Sequence, residues 1–108
     1  MSDILLKLSN IIQERKACPN EGSYTNYLFE KGLDKILKKI GEESTETIIA
    51  AKNGNKTEIS NEVCDLLYHL LVMLNFCDVD IQEVIKELEF RTQKQNNLKE
   101  MKVVDKNT

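Results

Sequence analysis

Apolar side chains recur at helical spacing through most of the chain. Ile4, Leu5, Leu8, Ile11 and Ile12 form one stripe, predicting a helix from about Asp3 to Lys16 with Ser2 or Asp3 as its cap. Pro19 and Gly22 mark a loop. The segment from Ser23 to Phe29 has room for one short helical piece ending at Gly32. A second long helix is predicted from about Asp34 to Asn53, closed by Gly54. Within it Ile36, Leu37, Ile40, Ile48 and Ala51 fall in a sector of ~120°. Lys35, Lys38, Lys39, Glu42, Glu43 and Glu46 fall on the opposite side. Gly41 interrupts this helix at a cost of roughly 1 kcal/mol against Ala, and invites close approach of a ligand or another helix.

A third helix is predicted from about Glu58 to Phe76, with Thr57 as N-cap. From Leu66 to Leu74 it is apolar almost all the way round. A helix of that kind must be covered on every side. A fourth starts after Asp80, with Glu83 in capping-box register and Ile81, Val84, Ile85 and Leu88 as its apolar face. The tail after about Asn96 is polar and expected to fray. The expectation is an all-α fold of four main antiparallel helices forming a bundle. Three helices barely cover the third, so a homodimer or higher homo-oligomer is expected to complete it.

Composition agrees. The 108 residues are read as a single domain, 1–108, with about 97–108 as its polar tail; four Gly and one Pro suit helices better than a β-sandwich. The net charge of −3 and the lack of a basic stripe argue against nucleic acid as a partner. Cys18, Cys64 and Cys77 are odd in number and match no metal or redox spacing, so reduced thiols in a cytoplasmic protein are expected. The start of the chain shows no secretory pattern, and the apolar stretch is too short to cross a bilayer, so no membrane partner is expected.

Two acidic clusters carry the chemistry: Glu42-Glu43-Ser44-Thr45-Glu46 and, fifteen residues later, Glu62-Val63-Cys64-Asp65. At about 100° per residue, Glu46 projects between Glu42 and Glu43, and Glu62 and Asp65 lie about 60° apart. If the two helices form a hairpin, five carboxylates face one another. Like charges at ~4 Å repel by several kcal/mol even at an effective dielectric near 20, so such a cluster calls for a cation. Oxygen sites that hold Mg²⁺ usually also meet phosphate oxygens. The competing reading is a solvated face with Lys38–Glu42 and Lys39–Glu43 pairs, in the poorer i,i+4 orientation. Lys35, Lys38 and Lys39 precede the acids on the same face, as plain solubilising charges or as contacts to substrate phosphate. His69 shares the side of Glu62 and Asp65 and reads as a hydrogen-bonded core or supporting residue rather than a ligand. Core packing is the expectation for Tyr24 and Tyr27, with framing of a base as the alternative. Arg91 and Lys94 either reach substrate or snorkel.

Longer strings add specificity. Gly22-Ser23-Tyr24-Thr25 with Leu28-Phe29, the run from Lys35 to Glu43, and Glu62-Val63-Cys64-Asp65-Leu66-Leu67-Tyr68-His69-Leu70-Leu71-Val72 closely resemble the phosphoribosyl-ATP pyrophosphohydrolases. These belong to the all-α, MazG-like nucleoside triphosphate pyrophosphohydrolases. The resemblance covers roughly Gly22 to Arg91 and departs at Ser44, where the family usually has Ala. It implies Mg²⁺-dependent hydrolysis of phosphoribosyl-ATP to phosphoribosyl-AMP and pyrophosphate, the second step of histidine biosynthesis, in the stand-alone form. It implies Glu43, Glu46, Glu62 and Asp65 as metal carboxylates, and Glu42 as the first acid of the same catalytic motif. The rivals are pyrophosphohydrolysis of another nucleotide and a non-catalytic helical adaptor.

Overall fold

Gly54 sets the geometry of the whole chain. It sits in the left-handed region (φ 72°, ψ 16°), where a side chain is disfavoured, and ends α3 (Leu33–Asn53). Asn55 follows directly and starts α4 (Lys56–Phe76) by accepting a hydrogen bond from the Glu58 N–H at 3.1 Å. The result is a long hairpin of two 21-residue helices. The computed structural model describes residues 3–94.

Three shorter helices pack around the hairpin: α1 (Ile4–Ala17), α2 (Tyr24–Lys31) and α5 (Ile81–Thr92). α1 lies against α4 and α2, α2 also touches α3 and α4, and α5 rests on α1. The fold is all-helical, with five helices and no strand among the described residues. The short piece expected after Ser23 is a full element. Ser23 caps it by accepting from the Asn26 N–H, and Gly32 (φ 95°) closes it and opens α3.

The caps differ from expectation in detail. Asp3 stands at the N-cap of α1, yet its side chain makes no capping bond. Thr57 lies inside the first turn of α4, because Asn55 captures the cap position as soon as Gly54 has turned the chain. Asp80 accepts from the Gln82 N–H at 2.9 Å, while the Glu83 carboxylate turns to Lys86 at 3.9 Å, so no reciprocal box forms. The expected tail lies outside the described residues.

Ile12, Leu28, Ile36 and Val72 form the centre of the core, with Leu71 and Ile81. A buried polar pair pins α1 to α4: the Asn75 side chain donates to Ser9 Oγ at 3.1 Å and to the Leu71 carbonyl at 2.9 Å. The inward face of α3 is only partly the predicted one. Its buried positions are Ile36, Glu43 and Ala50, seven residues apart, whereas Leu37 is 44% exposed, Ile48 is 68% exposed and Ala51 is exposed. Residues 36, 43 and 50 return to nearly the same side of the helix every two turns, and that side faces the rest of the chain. Of the predicted stripe, Ile36 lies in the core and Ile40 packs against it, while Leu37, Ile48 and Ala51 form a second strip that this chain leaves uncovered. All three cysteines are free and exposed. Among the described residues no helix is long and apolar enough to cross a membrane.

Candidate carboxylate metal site

The hairpin brings three of the five predicted acids together. One carboxylate oxygen each from Glu43, Glu62 and Asp65 lies within 4.8 Å of the other two. Glu43 is only 7% exposed, because it occupies the core-facing stripe of α3 between Ile36 and Ala50. Glu62 is half-buried and Asp65 exposed, one turn apart on α4. Glu46 is exposed and adjoins the pair from α3, in hydrogen-bonding reach of both Glu43 and Glu62. Glu42 stands outside the group and turns toward Lys39.

The electrostatics are those of a site under internal repulsion. Burial pushes the Glu43 carboxyl above its ordinary value, and the Glu46 carboxyl and the Asp65 charge push the same way. For Glu62 the main cause is a hydrogen bond with Glu46, followed by partial burial and by the charges of Glu46 and Glu43, and its pKa is pushed up to about 7. Compensation is incomplete. Lys39 Nζ lies 3.5 Å from Glu42 Oε1 and 3.9 Å from Glu43 Oε1. Yet Glu43 Oε2 and Glu62 Oε2 are buried with no hydrogen-bond partner. Buried acceptors are nearly always satisfied, so two orphaned carboxylate oxygens from neighbouring side chains ask for a ligand. An all-oxygen donor set fits a hard divalent cation.

The raised pKa has a testable sign. Between the unfolded carboxyl pKa near 4.3 and the folded value of about 7, the folded cation-free protein holds a proton that the unfolded chain releases. Stability from this group is therefore lost as pH rises through that window. The Tm of the cation-free protein, measured against Glu62→Gln, is expected to fall from pH 4.5 to pH 7.5. A difference that stays constant over the range contradicts the assignment of the shift to Glu62.

His69 supports the site from behind. It is 4% exposed, and its Nδ1 lies 2.7 Å from the carbonyl of Asp65. A carbonyl only accepts, so Nδ1 carries the proton and Nε2 of the neutral ring accepts from the Tyr24 hydroxyl at 3.0 Å. Both ring nitrogens are thus engaged within the protein, in keeping with the supporting role. A second polar contact, Thr25 to the Tyr68 hydroxyl, joins α2 to α4 beside the first. The tyrosines correct an expectation: Tyr24 is 46% and Tyr27 39% exposed, so neither is a core residue. Their side chains carry polar tips that a fully buried position must satisfy.

Of the lysines, Lys39 reaches the acids, Lys35 is half-buried with its Nζ 6.0 Å from the Tyr27 ring, and Lys38 is exposed. The expected Lys38–Glu42 pair is absent among the described residues, because Lys39 takes Glu42 one turn away at i,i+3. Arg91 and Lys94 do not approach the acids. Arg91 pairs with Glu87 at 3.1 Å and Lys94 covers Phe90. The Tyr24–His69–Asp65 connection was not foreseen from the sequence. Its signal was His69 four residues after Asp65, which places its ring over that turn.

Residues 5–92 match the family described as phosphoribosyl-ATP pyrophosphohydrolase. A protein of Clostridium acetobutylicum named phosphoribosyl-ATP pyrophosphatase is 56% identical over 99 residues, 92% of this chain and 90% of its own. Proteins of the same name from Streptococcus thermophilus and Listeria welshimeri are each 58% identical, over 84% and 87% of this chain and 88% and 90% of their own.

Proposed function

The chain belongs to the phosphoribosyl-ATP pyrophosphohydrolase family, and from that premise we propose that it hydrolyses phosphoribosyl-ATP to phosphoribosyl-AMP and pyrophosphate with Mg²⁺, in the cytoplasm, as the second step of histidine biosynthesis. The observation that carries the reading is the convergence of Glu43, Glu62 and Asp65 around two buried oxygens with no partner.

Glu43, Glu46, Glu62 and Asp65 would hold the metal. When bound, Mg²⁺ supplies charge neutralisation for the departing pyrophosphate. The protein's own groups do the rest. Lys39 places a cation beside the metal carboxylates and exchanges its contacts to Glu42 and Glu43 for phosphate oxygens. Glu42, outside the metal set and solvent-facing, is placed to take the proton of the attacking water as the new bond to the α-phosphorus forms and the bond to the bridging oxygen breaks. Lys38 adds an exposed positive charge on α3 one residue before Lys39. His69 holds the turn that carries Asp65.

The active form is proposed as a homodimer built on the uncovered stripe of the hairpin. Leu37 and Ile48 on α3, and Val63 and Leu67 on α4, are large apolar residues between 37% and 68% exposed. Gly41 and Ser44 fall on the α3 stripe at i+4 and i+7 from Leu37. Apart from α3's own neighbouring turns, no heavy atom of the described residues comes within 4 Å of where a Cβ on Gly41 would stand, which leaves room for another helix to approach closely.

The activity is tested by pyrophosphate release in Mg²⁺ from phosphoribosyl-ATP, beside ATP and a panel of deoxynucleotides. The expected result is strong preference for phosphoribosyl-ATP, stopped by chelator and restored by added Mg²⁺. Preference for a deoxynucleotide would replace the substrate. Undiminished turnover in excess chelator would remove the metal, and no release from any compound would favour a non-catalytic protein.

A further inference from the structure

Phosphoribosyl-ATP differs from an ordinary nucleoside triphosphate in carrying a second phosphate, on the far side of its purine. The carboxylate cluster and Lys39 serve only the triphosphate end. A continuous track of side chains leads away from them. Tyr24 is tied through His69 to the backbone of Asp65, so its ring begins where the acidic site ends. Tyr27 stacks beside it, with ring centroids 6.0 Å apart and planes inclined by 22°. Both rings are substantially exposed, which gives an aromatic surface rather than a packed core.

The track ends in positive charge. Lys31 from α2 and Lys35 from α3 each hold their Nζ near the Tyr27 ring, at 5.8 Å and 6.0 Å from its centroid. Neither forms an ion pair with a carboxylate among the described residues, in a chain whose net charge is −3. Two ammonium groups from different helices thus share one ring without a counter-ion. Lys35 lies eight residues before Glu43, about 12 Å along the helix axis. Two riboses and a purine separate the two anionic ends of the substrate, and the flexible lysine side chains add their own reach to the separation along the helix. The open cleft of about 600 Å³ that also touches Tyr24 and Tyr27 includes Glu21 and Glu30 in its wall and has the wrong sign for an anion.

We infer that Lys31 and Lys35, bracketing Tyr27, bind the second phosphate of the substrate, with the Tyr24–Tyr27 surface supporting the nucleoside between the two anionic ends. The inference rests on the proposed activity and adds the group that distinguishes this substrate from other triphosphates. Lysine supplies point charges here, so the contribution is read in substrate binding rather than in the chemical step.

The test is a cycle between protein and substrate. Wild type and the Lys31→Gln/Lys35→Gln double variant are assayed in Mg²⁺ on phosphoribosyl-ATP and on ribosyl-ATP, the same compound without the second phosphate. The expected result is a KM for phosphoribosyl-ATP raised by about tenfold or more in the variant, and a KM for ribosyl-ATP equal in the two proteins within about twofold. Equal effects on both compounds, or none on either, overturn the subsite while leaving the activity in place. Turnover of neither compound by wild type overturns the activity and the subsite together.

Discussion

Glu62→Gln is expected to lose at least about a hundredfold in turnover and at the same time to melt at a higher temperature than wild type when both are free of divalent cation. The two effects have one cause. Glu62 meets Glu43 and Glu46 across the α3–α4 hairpin, and its pKa of about 7 records how poorly the folded chain tolerates its charge. An amide of the same size keeps the shape and removes the repulsion. It also removes one of the carboxylates proposed to hold the metal, and loss of the charge stabilisation a metal provides is worth several powers of ten in rate. Glu46→Gln, the acid that hydrogen-bonds to both Glu43 and Glu62, is expected to lose turnover in the same way with the fold intact. Measurement of kcat beside the cation-free melting curve separates this account from a solvated acidic face. Near-wild-type turnover in either variant defeats the metal assignment, and a lowered Tm for Glu62→Gln defeats the account of repulsion.

Leu67→Glu is expected to convert a dimer into a monomer. Leu67 is 43% exposed on α4, Val63 one turn before it is 37% exposed, and both belong to the helix whose sequence is apolar nearly all round. A carboxylate from each protomer in such an interface is left without a partner and is costly to bury. Because association contributes to the stability of a dimer, wild type is expected to show a Tm that rises with protein concentration, and the variant one that does not. Light scattering at micromolar concentration decides the starting point: a monomeric wild type ends the proposal.

The helices were legible because their period and their end signals are local. Gly54, Ser23 and Asp80 all act where the sequence places them. Thr57 was the wrong cap because two good capping residues stand close together, and the choice between them depends on where the left-handed glycine releases the chain. The inward face of α3 was misread for a different reason. Counting apolar residues finds a sector that includes the buried Ile36 but is drawn toward Leu37 and Ile48, while the chain turns Glu43 and Ala50 inward beside Ile36. A glutamate in a core position looks like a surface residue to any rule based on polarity. The acids themselves were legible as a pair of helical motifs. Which three converge was not, since that depends on the register of the hairpin. The exposure of Tyr24 and Tyr27, and the connection of Tyr24 to His69, required the packing of α2 on α4.

The place of Glu43 in the seven-residue sequence Ile36, Glu43, Ala50 also says something about how such a chain persists. Leucine at that position would continue the core without interruption and remove one of the two unpaired oxygens. A screen for heat resistance alone is therefore expected to replace Glu43, and a screen for turnover, on the proposed metal role, to keep it, so this is the position at which the two screens pull apart.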